Sequence, residues 1–170
     1  MGKIKELISM LKESGTIEKE YTLEEMYDMC CKDIDDIQKE LKEHLPGNNT
    51  MYATLFLSTE EKLKEIQTKL FKRCCDVKGI KESQNAFCLY RDFLTKYNDA
   101  VHTYNFSIKE VFGGDINKVT VEILDAKEKL LPINNDNVHL HSEYHKSNEP
   151  IMKSIEDLEN KRRELLKNIA

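Results

Sequence analysis

The residues FCLYRDFLTKYNDAVHTYNFSIKEV, numbered Phe87–Val111, decide the fold of this chain. Apolar and aromatic residues recur along them at alternating steps of three and four: Phe87, Tyr90, Leu94, Tyr97, Val101, Tyr104, Ile108 and Val111. This heptad pattern is typical of a helix that contacts neighbouring helices over its whole length. We therefore expect the rest of the chain to pack against this helix.

The composition favours long helices in a narrow bundle. The chain of 170 residues is 39% hydrophobic and 34% charged, with only three prolines and six glycines. Globular proteins average about 45–50% apolar and about 25% charged residues, so this chain is rich in surface. So few helix breakers permit long helices joined by short links, which make neighbours antiparallel. We predict an all-α, elongated antiparallel helical bundle with coiled-coil packing and up-down topology.

The predicted organisation is a single domain with four parts. A short amphipathic helix lies in residues 1–15, and the main bundle spans 22–131. Residues 132–149 are rich in Asn and His and are predicted to form a long loop. A C-terminal helix, with Pro150 in its first turn, occupies 150–170, because proline is tolerated where a backbone N–H has no intrahelical partner.

Local signals set the helix ends within the main bundle. Thr22 and Glu25 form a capping box at the start of the first long helix. The second helix begins either near Thr50 or at Ser58, and the apolar spacing before Ser58 favours the earlier start. The stretch Val119–Ile123 also alternates like a strand, but no partner strand is visible, so we predict a helix there.

Charge is distributed unevenly between the first two long helices. Residues 17–43 carry ten acidic and four basic side chains, whereas residues 62–81 carry seven basic and two acidic ones. We expect these faces to oppose each other, with the basic patch Lys69–Lys81 turned toward the acidic helix. A lipid-facing or nucleic-acid-facing patch is the alternative interpretation.

The five cysteines indicate reduced thiols in the cytoplasm or the nucleus, because their number is odd and they lack the spacing of a disulfide framework. The vicinal pairs Cys30–Cys31 and Cys74–Cys75 resemble a four-thiol zinc site only superficially, since zinc ligands are normally separated by two to four residues. In a hairpin that turns near residue 48, Cys30 is expected opposite Ile66. We predict that Cys30 and Cys74 pack in the core.

Histidines provide two further candidate sites. His139, His141 and His145 lie in the predicted loop, and His141 and His145 would share a metal only if that stretch were helical. His102 follows Asp99 in a D-x-x-H pattern, but di-iron bundles need E-x-x-H on two helices and further buried glutamates. The sequence therefore predicts no metal and no cofactor.

Other classes of function find little support. The net charge of -5 argues against nucleic-acid binding, and no run approaches the roughly 18 apolar residues of a membrane span. No phosphate-binding or catalytic signature is present in the chain. We predict that the protein is not an enzyme.

Candidate partner-binding residues come from two heptad stripes. They are Tyr90, Tyr97 and Tyr104 on the central helix, with Ile155, Leu158, Arg162 and Leu165 on the last one. Aromatic residues at heptad spacing usually lie in a core. Three tyrosine hydroxyls, however, need polar partners or contact with water, and a protein–protein interface would also provide these. Arg162 either fixes the register or selects a partner, or it extends to solvent at the bundle edge.

These observations favour an adaptor, tether or structural subunit of a larger cytoplasmic assembly that binds other proteins through helix–helix contacts, with homo-oligomers as one form. The alternative is a helical-bundle binding module for a small ligand, lipid or metal, using His102, the tyrosines or the histidine loop. A third hypothesis is an oligomeric enzyme whose site forms between chains.

Overall fold

The computed structural model describes residues 3–6, 21–43, 47–130 and 141–170, with only the backbone described for 141–147. Five long helices make up most of this part of the chain, and it contains no strand. Their bounds are α1 Leu23–Lys42, α2 Asn49–Cys75, α3 Ile80–Val111, α4 Gly114–Glu128 and α5 His141–Ile169. The predicted all-α class is therefore confirmed, and Val119–Ile123 is helical.

Capping groups account for where the first two helices begin. The Thr22 hydroxyl accepts a hydrogen bond from the Glu25 amide at 3.1 Å, and the Glu25 carboxylate accepts one from the Thr22 amide at 3.4 Å. Asn48 caps α2 by accepting from the Met51 amide at 3.0 Å. This places the start of α2 beside Thr50, as predicted, and leaves Ser58 inside the helix.

The turn between α2 and α3 depends on glycine. Gly79 precedes α3 with a φ of 100°, a backbone conformation that side chains with a Cβ rarely adopt. The helix that follows runs for 32 residues and includes the whole of Phe87–Val111. Phe112 and Gly113 lie between α3 and α4.

The prediction of a loop over residues 132–149 is wrong for residues 141–149, because α5 begins at His141 and contains Pro150 in its interior. Proline removes one intrahelical hydrogen bond, but packing of the helix outweighs that local cost. Asn148, just before the proline, is 1% exposed, so this part of α5 is packed against the protein. Residues 131–140, including His139, lie outside the described residues, as do residues 1–2 and 7–15 of the predicted N-terminal helix.

The central helix α3 contacts α1 on one side and α2 on another. The Asn85 amide donates to the Glu24 carboxylate at 3.1 Å, and the Lys96 ammonium lies 3.1 Å from the Asp35 carboxylate. On the other side the Tyr104 hydroxyl donates to the Phe56 carbonyl at 2.9 Å. The expectation that the chain packs around this helix is met for α1 and α2.

Its buried line nevertheless differs from the predicted heptad stripe. Ala86, Phe93 and Ala100 are at most 2% exposed, whereas Phe87, predicted to be buried, is 45% exposed. The two alanines let neighbouring helices approach α3 closely, and a search for large apolar residues passes over them. The predicted stripe lies beside this buried line in the first part of α3 and coincides with the core at Tyr104 and Ile108, which are 2% and 0% exposed.

The apolar interior has two parts. The main cluster joins residues of α1, α2 and α3 with Ile116 of α4 and Leu166 of α5. A smaller cluster of Val119, Ile123 and Ile155 lies between α4 and α5. Leu165 packs against both clusters, so α5 connects them.

The acidic helix α1 packs against the basic helix α2, with the Cys30 thiol facing the Ile66 carbonyl, but ion pairs do not account for this contact. Among the described residues, no ion pair within 4.0 Å joins α1 to α2; Asp35 instead pairs with Lys96 of α3. Side chains such as Lys69, Lys72 and Lys78 of the basic patch are exposed. Surface ion pairs contribute only about 0–1 kcal/mol each, so packing rather than charge fixes this contact.

Candidate partner-binding surface and the buried arginine

The three candidate tyrosines become more buried toward the end of α3. Tyr90 is half-buried, and its hydroxyl accepts a hydrogen bond from the Gln67 amide at 3.4 Å. Tyr97 is also half-buried and stacks on Phe93 with a centroid distance of 5.8 Å. Tyr104 is 2% exposed and lies inside the protein. The stripe therefore passes from surface to core along a single helix.

Burial also affects the acidity of these tyrosines. It raises the pKa of Tyr97 to about 12, with a smaller contribution from the negative charge of Glu159. Burial raises the pKa of Tyr104 further, although the nearby Arg162 cation opposes that shift. It raises the pKa of Tyr90 as well, against the effect of its hydrogen bond with Gln67. All three hydroxyls are thus held in the neutral form at physiological pH.

The four candidates on α5 lie on its inner face. Ile155 belongs to the smaller core cluster and is 5% exposed, while Leu158 and Leu165 are half-buried against the core. Arg162 is 1% exposed, so it does not extend to solvent at a bundle edge. These residues, like Tyr104, contact this chain's own helices in the structure. The heptad pattern missed Leu166, which is fully buried.

Arg162 is held by polar side chains from two other helices. Its Nη1 donates to the Asn105 Oδ1 of α3 at 2.8 Å and to the Thr120 Oγ1 of α4 at 3.4 Å. The guanidinium carbon lies 5.3 Å from the centroid of the Tyr104 ring, within the range of a cation–π contact. Asn105 and Thr120 were not identified from the sequence as partners.

This buried cation has no carboxylate partner within 4.0 Å among the described residues. Its Nε and the Nδ2 of Asn105 make no hydrogen bond, although both atoms are buried. A buried charge or polar group costs free energy of folding unless it is paired, so the contacts of Arg162 constrain how α3, α4 and α5 pack together. The sequence would have revealed this polar site only through three polar residues that stand at matching positions along the apolar faces of three helices.

The neighbouring Arg163, unlike Arg162, is paired with a carboxylate. It forms an ion pair with Glu60 of α2, whose side chain is 8% exposed. This hydrogen bond raises the pKa of Arg163, and Glu60 also lies 3.6 Å from Lys64. The adjacent arginines therefore connect α5 to α2 on one side and to α3 and α4 on the other.

Of the two cysteines predicted to pack in the core, Cys30 is fully buried and Cys74 only partly. Cys30 is 2% exposed and its thiol faces the Ile66 carbonyl at 4.0 Å, which confirms the predicted position opposite Ile66. Burial raises the pKa of Cys30 to about 11, so its thiol is a poor nucleophile. Cys74 is half-buried, with its thiol 3.8 Å from the Ala86 carbonyl. Cys31, which the sequence did not mark as core, is also buried.

The histidine candidates do not converge on a described site. His102 is exposed and stacks on Phe106 with a centroid distance of 6.3 Å. His141 and His145 lie on the helical backbone of α5, but their side chains are outside the described residues. In the part of the chain that the structure describes, no group of three His, Cys, Asp or Glu side chains is placed to hold a metal ion.

Large apolar side chains remain exposed at the end where α2 meets α3. Ile80 is 81% exposed, Phe71 is 51% exposed and Phe87 is 45% exposed. Phe71 lies against Tyr90 with a centroid distance of 5.7 Å. We call the surface formed by Phe71, Ile80, Phe87 and Tyr90 the open groove. Within the described helices, none has the length and hydropathy needed to cross a bilayer.

Comparison of the chain with protein-family models, with curated proteins and with solved structures gave no match.

Proposed function

We propose that this protein is a non-enzymatic interaction protein, an adaptor, tether or structural subunit that binds other proteins through helix–helix contacts. The observation that carries the proposal is the open groove. Exposed apolar side chains that adjoin one another on two packed helices favour a protein partner, whereas isolated ones need no explanation. A helix laid between two helices is a common way to cover such a surface.

The proposal extends to the packing of the bundle itself. We infer an up-down arrangement in which α2 runs antiparallel to both α1 and α3. The contacts of Phe56 with Tyr104 and of Gln67 with Tyr90 support it, because positions that rise along α2 meet positions that fall along α3. α1 runs in the same direction as α3, since Glu24 contacts Asn85 and Asp35 contacts Lys96. Heptad packing is supported where α3 meets α2, since Phe93 and Ala100 are buried seven residues apart.

A reducing compartment, the cytoplasm or the nucleus, is part of the same proposal. All five cysteines are free, and both Cys30 and Cys31 are buried. Free thiols are stable where glutathione and thioredoxin keep them reduced.

Affinity capture with three forms of the chain tests this function. The tagged wild type, a Phe87→Ser variant and a Phe106→Ser variant are compared by quantitative mass spectrometry of the captured proteins. Phe106 is a matched control, because it lies on the same helix and is 46% exposed against 45% for Phe87. We expect specific proteins to be lost with Phe87→Ser and retained with Phe106→Ser.

Circular dichroism verifies that both variants fold. If the folded Phe87→Ser variant captures the same proteins in the same amounts as the wild type, the open groove does not bind partners and the proposal is wrong.

A further inference from the structure

Three residues reverse the direction of the chain between α3 and α4. Phe112 and Gly113 are extended, with ψ values of 143° and -167°, and Gly114 has a φ of 62°. Residues with a Cβ adopt such a left-handed conformation only at a cost. A Cβ at Gly114 would have no neighbour within 4 Å, so glycine serves the backbone of this turn and not its packing.

Asn117 of α4 stabilises the same turn. Its side-chain amide donates to the Lys109 carbonyl at 2.8 Å and to the Phe112 carbonyl at 3.1 Å. These carbonyls lie at the end of α3, where the last four carbonyl groups of a helix lack an intrahelical partner. Gly113, at the start of α4, has no side chain that could cap the first amides of that helix.

The buried stripe of α3 continues into α4 with the spacing of a single helix. Its members follow one another at steps of four, four, three and four residues and are at most 6% exposed: Ile108, Phe112, Ile116, Val119 and Ile123. At about 100° per residue, these side chains would lie within about 80° of one another on one uninterrupted helix. The sequence across the turn is therefore compatible with a helix that joins α3 and α4.

Side chains far from this turn hold α4 and α5 to the rest of the bundle. Arg162 binds Asn105 of α3, Arg163 pairs with Glu60 of α2, and Leu166 belongs to the main apolar cluster. None of these contacts involves the residues of the turn. The α4 and α5 helices of another copy would make the same contacts.

We propose that two copies of this chain exchange α4 and α5, and that α3 and α4 of each copy then form one helix over residues 80–128. The exchange keeps the contacts of α4 and α5 with the bundle and replaces the turn by helical hydrogen bonds. The carbonyls of Lys109 and Phe112 accept from backbone amides four residues further along instead of from Asn117.

The partner is a second copy, because an identical chain offers Asn105, Glu60 and the main cluster in the same arrangement. Exchange of an identical element is a low-cost route to a dimer, and a short, strained connection favours it. This inference goes beyond the proposed function. Because α2 and α3 of each copy stay together, the dimer carries two open grooves.

The mass of the protein in solution tests the exchange. The wild type, Gly114→Ala, Asn117→Ala and Gly114→Asn are unfolded in urea and refolded at low and at high protein concentration. Light scattering after size-exclusion chromatography then gives the mass, and circular dichroism verifies folding. Gly114→Asn is the matched control for Gly114→Ala, because asparagine tolerates the left-handed conformation better and is a poorer helix former.

We expect a dimer of the wild type whose fraction grows with the refolding concentration. Gly114→Ala should lower the dissociation constant of the dimer at least about 100-fold, because alanine disfavours the turn and favours the joined helix in both chains. Asn117→Ala should lower it at least about tenfold, since two hydrogen bonds to the turn are lost in each chain. Gly114→Asn should change it less than about tenfold.

Charge reversal distinguishes exchanged helices from any other dimer. Glu60→Arg and Arg163→Glu each place like charges together within one chain, whereas exchange between the two variants restores opposite charges at both contacts. We expect a co-refolded mixture to contain at least about tenfold more heterodimer than homodimer, because like charges in contact are unfavourable. Native mass spectrometry identifies the two species.

Three results would each overturn the proposal: a wild type that remains monomeric at every concentration, Gly114→Asn dimers as stable as those of Gly114→Ala, or a mixture without heterodimers. Phe87→Ser should leave the dimer intact, because the open groove takes no part in the exchange. A dimer abolished by Phe87→Ser is formed through the groove, and the exchange is then wrong. The capture experiment depends on the groove alone, so the proposed function and the exchange are tested separately.

Discussion

Replacing Arg162 by methionine tests whether the buried arginine contributes net stability or mainly constrains the packing. The guanidinium gains a charge-assisted hydrogen bond to Asn105 at 2.8 Å, worth about 1.5–3 kcal/mol, and a cation–π contact with Tyr104, worth about 0.5–2 kcal/mol. Against these stands a desolvation cost of several kcal/mol for a buried charge without a carboxylate. The opposing contributions nearly cancel.

The two single variants should therefore differ in a defined direction. Arg162→Met removes the charge and leaves the Asn105 amide without its partner, which costs about 1–3 kcal/mol. Asn105→Leu leaves the cation buried without its best acceptor, which costs about 3–5 kcal/mol. The double variant removes both problems and should be the mildest of the three, within about 1 kcal/mol of the wild type.

Urea unfolding followed by circular dichroism measures these free energies of unfolding, and for a chain of this size each kcal/mol also shifts Tm by about 2–4 °C. Lys161→Met is the control, because Lys161 is an exposed neighbour whose loss should change stability by less than about 0.5 kcal/mol. A double variant that loses the sum of the two single effects would refute the reasoning, since additive effects mean that the two side chains do not interact.

Three further outcomes follow from burial. Phe93→Ala should cost about 3–5 kcal/mol in urea unfolding, because its ring is fully buried, whereas Phe87→Ala should cost under about 0.5 kcal/mol; equal losses would contradict the assigned helix face. Stability should fall as pH rises from about 10 toward about 12, because Tyr97 ionises first in the unfolded chain. Tyr97→Phe should flatten that slope, and an unchanged slope in pH-dependent urea unfolding would disprove the assignment. In thiol labelling of the native protein, exposed Cys75 should react and Cys30, whose pKa is raised to about 11, should react only after unfolding; early labelling of Cys30 would show that it is not buried.

Local sequence signals predicted the helices well, because their causes lie within a few residues. The capping box at Thr22 and the cap at Asn48 each join residues three positions apart. The helix face was harder to predict, because α3 meets neighbours on two sides and small alanines mark its closest approaches. The start of α5 at His141 was missed, because the Asn-rich and His-rich composition of residues 132–149 indicated a loop.

The polar contacts of the interior could not be predicted in the same way. Arg162 stood out as a charged residue in an apolar stripe, but its partners Asn105 and Thr120 lie 57 and 42 residues away. Their approach depends on how three helices are set against one another, which a heptad pattern does not specify. The open groove was likewise invisible, because Phe87 fits the heptad pattern as well as the half-buried Leu94 does.

The division of the interior into two apolar clusters affects how the protein opens. The smaller cluster of Val119, Ile123 and Ile155 is joined to the rest through Leu165 and the polar contacts of Arg162, and Ile116 and Leu166 of the same two helices lie in the main cluster. Because the smaller cluster has few apolar residues, we expect the α4–α5 pair to open at a free energy below that of global unfolding, so that its amides exchange with solvent before those of α3.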